Sequence, residues 1–304
     1  MKLAVPDMIS NSYFPAIAAI ELGFFKQEGL DVELELIFPV DKAYMALRDG
    51  AVDIVAGSAH SALAAFPNWQ GVKLLCAQAQ GMYWFLVMNK DLGIARGDTT
   101  AVKGKNIGAA PWVEMGLRRL LVAAGLDLDR DGITIAPVPG AAGAGVNFGV
   151  TAARALADGK IDGFWANGMG TEVAVRNGAG TVVLDVRRGD GPPECFNYTF
   201  ASVATSQRVI AQHPGIEDAV VRALKATHVA LKNDLSLATQ IGRKLFPPAE
   251  AELIAELIRR DLPYYDTTIS REAVAGMNQF ARDLGILAGD VPYEQIVAAP
   301  AMAG

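Results

Sequence analysis

The sequence predicts an α/β protein of two domains, and three observations lead to this fold class. The chain has 304 residues, which is more than one hydrophobic core usually serves. Strand-like and helix-like segments alternate along most of it, as they do in proteins with parallel sheets. A short motif also occurs twice, at 46–53 and 155–162, once in each expected domain.

The composition supports a large core and argues against two classes of partner. Hydrophobic residues make up 51% of the chain and charged residues 20%. The net charge of -6 does not suit a nucleic-acid-binding surface, which needs clustered Lys and Arg. Because no apolar run reaches the roughly 18–20 residues that a membrane span needs, we expect no membrane-spanning helix.

The first half of the chain contains most elements of the first domain. Its predicted strands cover 2–5, 32–37, 54–56, 72–77 and 83–88, and its predicted helices cover 14–22 and 41–48. The second helix is expected to stop at Asp49-Gly50, since Gly favours the left-handed conformation that ends helices. The residues that follow the strand at 54–56 are Gly57, Ser58, Ala59 and His60.

The second domain is expected to begin past Lys90. Its predicted strands cover 106–109, 133–137, 163–166, 181–186 and 199–204, and its predicted helices cover 113–124 and 151–157. A Gly/Ala-rich loop at 140–149 would let the backbone approach a ligand or a neighbouring element. From about Gln207 the chain is predicted to be mostly helical, because apolar residues such as Leu253 and Leu257 recur at helical spacing.

The repeated motif marks equivalent places in the two domains. Each copy reads as the end of a helix, an Asp-Gly stop, an apolar residue, an Asp and then a strand. The constant offset aligns Ser58 with Asn167, each just beyond the carboxyl end of a strand. Ligands bind beyond these ends in open α/β sheets, so the repeat predicts two loops at a ligand site.

The two cysteines, Cys76 and Cys195, are too few for a disulfide framework, although one bond between them is possible. Cys76 lies in the apolar run 72–77 and is expected to be a buried core thiol. None of the three histidines lies near a cysteine in the sequence. We therefore expect no metal site and no cofactor.

Four segments carry a family resemblance. Residues 15–34 are similar to the opening of sulfonate-, taurine-, nitrate- and thiamine-precursor-binding proteins. The segments 46–58, 102–108 and 158–163 fit the same family's motifs. The chain thus resembles the NMT1/THI5-like (SsuA/TauA-like) substrate-binding proteins of ABC importers, over roughly residues 3–235.

The resemblance implies a type II periplasmic-binding-protein fold. Lobe 1 would comprise 1–86 and 202–304, lobe 2 would comprise 87–201, and crossover strands near 85–88 and 199–203 would form a hinge. A small ligand would sit in the cleft between the lobes, and an ABC permease would be the partner. The location would be periplasmic if a leader has been trimmed; the cytoplasm stays open, because residues 2–5 already read as the first strand.

Candidate ligand-binding residues follow predicted strand ends or lie beside the crossovers. They are Asn11, Ser12, Tyr13, Ser58, His60, Tyr83, Trp112, Glu114, Trp165, Asn167 and Asn197. Aromatic and amide side chains are frequent in these loops, whereas Lys and Arg are few. This favours a neutral or weakly charged ligand, with aromatic or heterocyclic compounds included.

Structural interpretations of these residues stay open beside the functional one. Asn11 and Ser12 suit a helix N-cap, and Glu114 suits a helix start. His60 is equally consistent with a structural hydrogen bond, and Trp112 with packing between the lobes or in the core.

An enzyme on the same fold is the main alternative function, because the resemblance also includes aromatic desulfinases and THI5-type pyrimidine synthases. The former use a reactive Cys and the latter a Cys-rich motif. Here the first loop has Asn11-Ser12 and no Cys, and no Cys-rich motif occurs. We therefore assign no catalytic residues and predict a binding protein. A cytoplasmic sensor without catalysis is a third possibility.

Overall fold

The computed structural model describes residues 1–141 and 147–298, which form two compact units. Unit 1 contains Met1–Gln80 and the described part of Asn197–Gly304, and unit 2 contains the described part of Gly81–Phe196. The chain therefore passes from one unit to the other after Gln80 and after Phe196. Both crossings lie a few residues before the boundaries expected from the sequence, after 86 and before 202. One consequence is that Tyr83 belongs to unit 2.

Ten strands occur among the described residues. They are β1 (Lys2–Val5), β2 (Glu33–Leu36), β3 (Ile54–Ser58), β4 (Val72–Ala79), β5 (Phe85–Asn89), β6 (Asn106–Ala109), β7 (Thr134–Ala136), β8 (Gly163–Ala166), β9 (Gly180–Asp185) and β10 (Ala201–Ser206). They form one five-stranded sheet in each unit, with the orders β2-β1-β3-β10-β4 and β7-β6-β8-β5-β9.

The α-helices within 1–141 and 147–298 surround these sheets. They are α1 (Phe14–Glu21), α2 (Phe24–Gln27), α3 (Val40–Asp49), α4 (Glu114–Ala123), α5 (Phe148–Ala157), α6 (Gly168–Arg176), α7 (Gln207–Gln212), α8 (Ile216–Asn233), α9 (Ser236–Leu245), α10 (Pro248–Asp261), α11 (Arg271–Asp283) and α12 (Tyr293–Ile296). The region past Gln207 is helical, as predicted. No described helix is long and apolar enough to span a membrane.

The two sheets share one topology. In each, four strands run parallel and one, β10 or β5, runs antiparallel between two of them. β3 and β8, the strands of the repeated motif, both occupy the third position. The carboxyl ends of β1, β3 and β4 therefore meet at one edge of the first sheet. Those of β6, β8 and β9 meet at the corresponding edge of the second.

The inner strands β1 and β3 of unit 1 are mostly apolar and buried, whereas the edge strand β2 alternates Glu and Leu and is only partly buried. Leu3, Ala4 and Val5 are fully buried, and so is every residue of β3. α8 packs on β4 and on α1 and turns a stripe that includes Val220, Leu224 and Leu231 away from solvent. This spacing corresponds to one face of a helix, so the apolar residues that recur at helical spacing in the sequence pack against the core.

Glycine ends a helix in both copies of the repeated motif, as the sequence predicts. Gly50 follows α3 with φ +80°, and Gly159 follows Asp158 after α5 with φ +68°. A side chain at either position would strain the backbone in this left-handed region. Each turn leads directly into the strand, β3 or β8, that ends at the candidate site.

Some predicted boundaries differ from the structure. β5 begins at Phe85, so Tyr83 and Trp84 precede the strand in which they were expected. α5 begins at Phe148, about one turn before the predicted start at Thr151, because Asn147 Oδ1 accepts from Val150 N (2.7 Å) and caps the helix. Of the predicted loop at 140–149, residues 142–146 lie outside the described residues.

Candidate ligand-binding site

The loop after β1 buries three candidate residues. Asn11 and Ser12 are each 2% exposed and Tyr13 is 4% exposed. The N-cap interpretation of Asn11 and Ser12 is wrong, because the cap position of α1 is Tyr13. An amide of the first turn of α1, Ala16 N, is instead bound by Gln78 Oε1 on β4 (3.1 Å).

Asn11 is tied to a distant helix by its amide nitrogen. Its Nδ2 donates to Asp261 Oδ2 at the end of α10 over 2.7 Å. Asn11 Oδ1 and Ser12 Oγ are buried without a hydrogen-bond partner within the described residues. Buried polar atoms usually have partners, so two such atoms on adjacent residues single out this edge of the sheet.

Ser58 and His60 follow the same edge, and both bind neighbouring hydroxyl groups. Ser58, the last residue of β3, has its Oγ 2.6 Å from Ser61 Oγ. His60 Nδ1 lies 2.9 Å from Thr199 Oγ1. Both residues are fully buried. The structural hydrogen bond considered for His60 is therefore present, and any ligand contact by these residues would be additional to these bonds.

Aromatic rings line the neighbourhood of His60. Its imidazole meets Phe280 of α11 edge-on, with ring centroids 5.3 Å apart. Phe280 stacks on Tyr198 at 4.8 Å. Asn197 lies against α11, because a Cβ added at Gly276 of that helix would be only 2.5 Å from the Cβ of Asn197. Its Nδ2 donates to Glu272 Oε1 over 3.5 Å.

In unit 2, Asn167 follows β8 and caps α6. Its Oδ1 accepts from Met169 N (3.1 Å) and Gly170 N (3.3 Å). Asn, with its short side-chain acceptor, is among the preferred residues for this task. The oxygen of Asn167 therefore has a structural function at the position that the repeat aligns with Ser58.

Three aromatic residues of unit 2 form a connected group. The Tyr83 and Trp84 rings are 4.7 Å apart, and the Trp84 and Trp165 rings are 6.3 Å apart. All three are buried, and Trp165 Nε1 has no hydrogen-bond partner among the described residues. α4 packs closely on this group, because a Cβ at Gly116 would be 3.2 Å from the Trp84 ring.

Arg187 is a residue of this edge that the sequence analysis missed. It follows β9, is 7% exposed, and places its guanidinium carbon 5.5 Å from the centre of the Tyr83 ring. A cation over an aromatic face is favourable. Its place directly beyond a predicted strand was the available sequence signal, but its contact with Tyr83 exists only in the assembled sheet.

Trp112 and Glu114 lie where β6 leads into α4. Trp112 is half-buried and has φ +69°, which is uncommon for a bulky residue. Glu114 is the first residue of α4, and its carboxylate suits the positive end of the helix dipole. The cap position belongs to Val113, so Glu114 is not the N-cap residue.

Both cysteines are buried, and no disulfide joins them, so the bond that the sequence left possible is absent. Burial raises the pKa of the Cys76 thiol to about 12, although the charge of Lys225 opposes this shift. A thiolate is therefore strongly disfavoured at Cys76 near neutral pH. Among the described residues, no group of three or more His, Cys, Asp or Glu side chains is placed to hold a metal ion.

A sequence profile described as NMT1/THI5 like matches residues 10–234, which is most of the chain. The chain belongs to the NMT1/THI5-like family. Comparison with curated proteins gives no match. The matched region of this NMT1/THI5-like protein includes all eleven candidate residues and ends one residue after α8.

Solved structures share the fold of this NMT1/THI5-like chain at low sequence identity. The alkanesulfonate-binding protein SsuA from Xanthomonas axonopodis pv. citri bound to MOPS has a TM-score of 0.72 at 15% identity, covering 99% of this chain and 96% of that one. The periplasmic aliphatic sulphonate binding protein SsuA from Escherichia coli has a TM-score of 0.71 at 12% identity, covering 98% and 96%.

A variant of DSZB in complex with biphenyl-2-sulfinic acid is also similar, with a TM-score of 0.65 at 16% identity, covering 98% and 96%. Another structure names DSZB as a desulfurization enzyme. The predicted α/β fold of periplasmic binding proteins is thus confirmed, and both binding proteins and an enzyme are found on it.

Proposed function

We propose that this chain is the solute-binding protein of an ABC importer and captures a small organic molecule. The supporting observation is the duplicated sheet topology, in which polar and aromatic side chains follow the carboxyl ends of equivalent strands. Asn11 and Ser58 belong to one sheet edge, Trp112 and Asn167 to the other. Ligands of open α/β sheets bind at such edges.

Capture would use loops from both units and a hinge motion at the crossings between them. The two SsuA proteins support this proposal, since both are described as binding proteins and one contains a bound small molecule. An ABC permease would then be the partner, and the periplasm the location.

We propose a neutral or weakly charged ligand that has a ring. The Tyr83, Trp84 and Trp165 group lies buried at this sheet edge, and Trp112, half-buried at the same edge, is the ring that would face the ligand. A ring stacked on such a face contributes on the order of 1 kcal/mol beyond the area that it buries. Arg187 adds positive charge beside Tyr83, so a weakly acidic ring compound is compatible with the same surface.

Catalysis on the same fold is the second candidate, favoured by the likeness to DSZB. A cysteine nucleophile fits this chain poorly. Cys76 is fully buried with its pKa raised to about 12, and Cys195 is buried as well. A nucleophilic cysteine needs a low pKa and access to substrate, and Cys76 has neither.

Native mass spectrometry of the purified full-length chain tests the proposal. We expect a one-to-one complex with a compound of low mass, which unfolding releases and which rebinds to the refolded chain. A chain that neither carries such a compound nor retains any from a small-molecule extract of the producing cells would contradict a solute-binding function. Release of a compound whose mass differs from the one supplied would favour the enzyme instead.

A further inference from the structure

We infer that Asp261 orients the amide of Asn11 so that its oxygen accepts a hydrogen bond from an N–H group of the ligand. The ligand would therefore present an amine, an amide or an amino-heterocycle to the loop after β1, and not an oxyanion. This inference deepens the proposed function and rests on it.

The orientation of the amide follows from the chemistry of its partner. An ionised carboxylate only accepts hydrogen bonds, so Asn11 turns its Nδ2 towards Asp261 Oδ2, at 2.7 Å. Rotation of the amide by half a turn would bring two oxygens together. The hydrogen bond to Asp261 thus fixes Oδ1 as the remaining face of Asn11.

The remaining face is an acceptor in need of a donor. Asn11 is 2% exposed and Asp261 is 3% exposed, so this hydrogen bond is shielded from bulk solvent. Asn11 Oδ1 has no hydrogen-bond partner in the described part of the chain, nor has the neighbouring Ser12 Oγ. Leaving a buried acceptor unmet is unfavourable, and a ligand N–H would remove that penalty.

A ligand oxygen in the same place would repel the amide oxygen. Sulfonate, nitrate and carboxylate oxygens are acceptors, as is Asn11 Oδ1. The Ser12 hydroxyl can donate or accept and so does not discriminate. Discrimination at this loop therefore depends on Asn11, and Asn11 depends on Asp261.

Asp261 acts through Asn11 and is a positioning residue. It is the last residue of α10, 250 positions from Asn11 in the sequence. The contact brings a helix of the C-terminal region to the first loop of the sheet. This places a determinant of ligand choice outside the segment 10–234 that the family profile matches.

Matched pairs of probes test the inference on the full-length chain after bound compounds have been stripped. The pairs are 2-pyrrolidinone with γ-butyrolactone, 2-aminopyridine with 2-methoxypyridine, and benzamide with methyl benzoate. Calorimetry is expected to show at least tenfold tighter binding of the N–H member in the pairs that bind. Equal binding of both members would overturn the inference and leave the proposed function standing.

The Asp261→Asn variant tests the positioning role. An amide at 261 both donates and accepts, so Asn11 is free to turn and the preference should fall to within about threefold. The control Asp31→Asn changes an exposed carboxylate of the same unit and should keep the full preference. A preference that Asp261→Asn leaves intact would overturn the inference, as would an equal loss of affinity for both members.

Two further outcomes separate this inference from the proposed function. If no probe of any pair binds, the assignment of an N–H-bearing ligand is wrong. The solute-binding function is then still judged from the compound that is recovered from the chain. If a bound probe is chemically converted, the solute-binding function fails, and the N–H preference is judged separately from the affinities. Circular dichroism of each variant confirms that it is folded before affinities are compared.

Discussion

Trp112 combines a strained backbone with a large aromatic side chain. Its φ of +69° lies in the left-handed region, where a bulky residue is unfavourable by about 1–2 kcal/mol. Such conformations persist where the surrounding structure over-determines them, and they cluster at binding and catalytic sites. The conformation of Trp112, between β6 and α4, therefore lowers the stability of the fold at the proposed ligand surface.

Trp112→Ala is expected to weaken ligand binding at least tenfold, because the variant loses the aromatic face, and to remain folded. Trp112→Gly should bind as weakly but be about 1 kcal/mol more stable than Trp112→Ala, since Gly adopts positive φ without strain. Calorimetry and thermal unfolding of the two variants measure both effects. Unchanged affinity in Trp112→Ala would make Trp112 a structural residue and remove part of the case for a ring-containing ligand.

His228 of α8 is a buried histidine outside the proposed ligand contacts. Burial lowers its pKa to about 4, although a hydrogen bond with the main chain of Gln78 and the charge of Asp266 oppose this. Its ring stacks on Tyr265 at 4.6 Å, and its Nε2 has no hydrogen-bond partner among residues 1–141 and 147–298. The neutral imidazole is therefore the form that the folded state accommodates.

The free energy of unfolding should fall with acidification between pH 6.5 and pH 4. The unfolded chain binds a proton at His228 near pH 6.5 and the folded chain only near pH 4, so each pH unit in this window costs about 1.4 kcal/mol. His228→Asn should remove this part of the slope, whereas His213→Asn, at an exposed position, should not. Urea unfolding at pH 7.5 and pH 4.5 would refute the assignment if all three proteins lost equal stability.

The close crossing of helices α5 and α6 depends on two glycines, Gly149 and Gly170. A Cβ at Gly170 would be 2.5 Å from the carbonyl oxygen of Gly149. Two helices approach this closely only where side chains are absent from the contact. The crossing also keeps Asn167, the cap of α6, at the end of β8.

Gly170→Ala should destabilise the chain by about 1–3 kcal/mol, because backbone atoms must move to admit the methyl group. This loss would exceed the gain of up to about 1 kcal/mol that Ala offers in a helix. Gly289→Ala, outside any helix, is the control for an added methyl group without a clash, since no atom lies within 4 Å of the added Cβ. Denaturant unfolding of both variants measures the difference, and equal stabilities would show that α5 and α6 separate easily.

Element boundaries show which features local sequence could predict. The strands at 106–109 and 163–166 match β6 and β8, because each is a short apolar run bounded by turn residues. The start of β5 could not be read locally. It begins at Phe85 because its partners β8 and β9 end there, at Ala166 and Asp185, and these residues are distant in the sequence.

The candidate site was predictable in position but not in its hydrogen bonds. The repeated motif located Ser58 and Asn167 at strand ends, since the Asp-Gly turn and the strand are local features. The partners of the first loop and of His60 could not be read, because Asp261 and Thr199 lie 250 and 139 positions away. Arg187 was missed since its relation to Tyr83 also depends on the assembled sheet.

At the scale of the whole molecule, the sheet of one unit repeats the topology of the other. The two strand orders are equivalent position by position, and the antiparallel strand in each, β10 or β5, is the first strand after the chain crosses between units. The arrangement gives each unit its own carboxyl edge with polar and aromatic residues.

The most direct test is calorimetric titration of the stripped chain with its recovered compound, followed by mass analysis of that compound after prolonged incubation. We expect one binding site per chain, an unchanged compound, and affinity within a few-fold in the double variant Cys76→Ala, Cys195→Ala. The reason is that both thiols are buried and that burial raises the pKa of Cys76 to about 12. A solute-binding function would be contradicted if the wild type converted the compound chemically and the double variant did not.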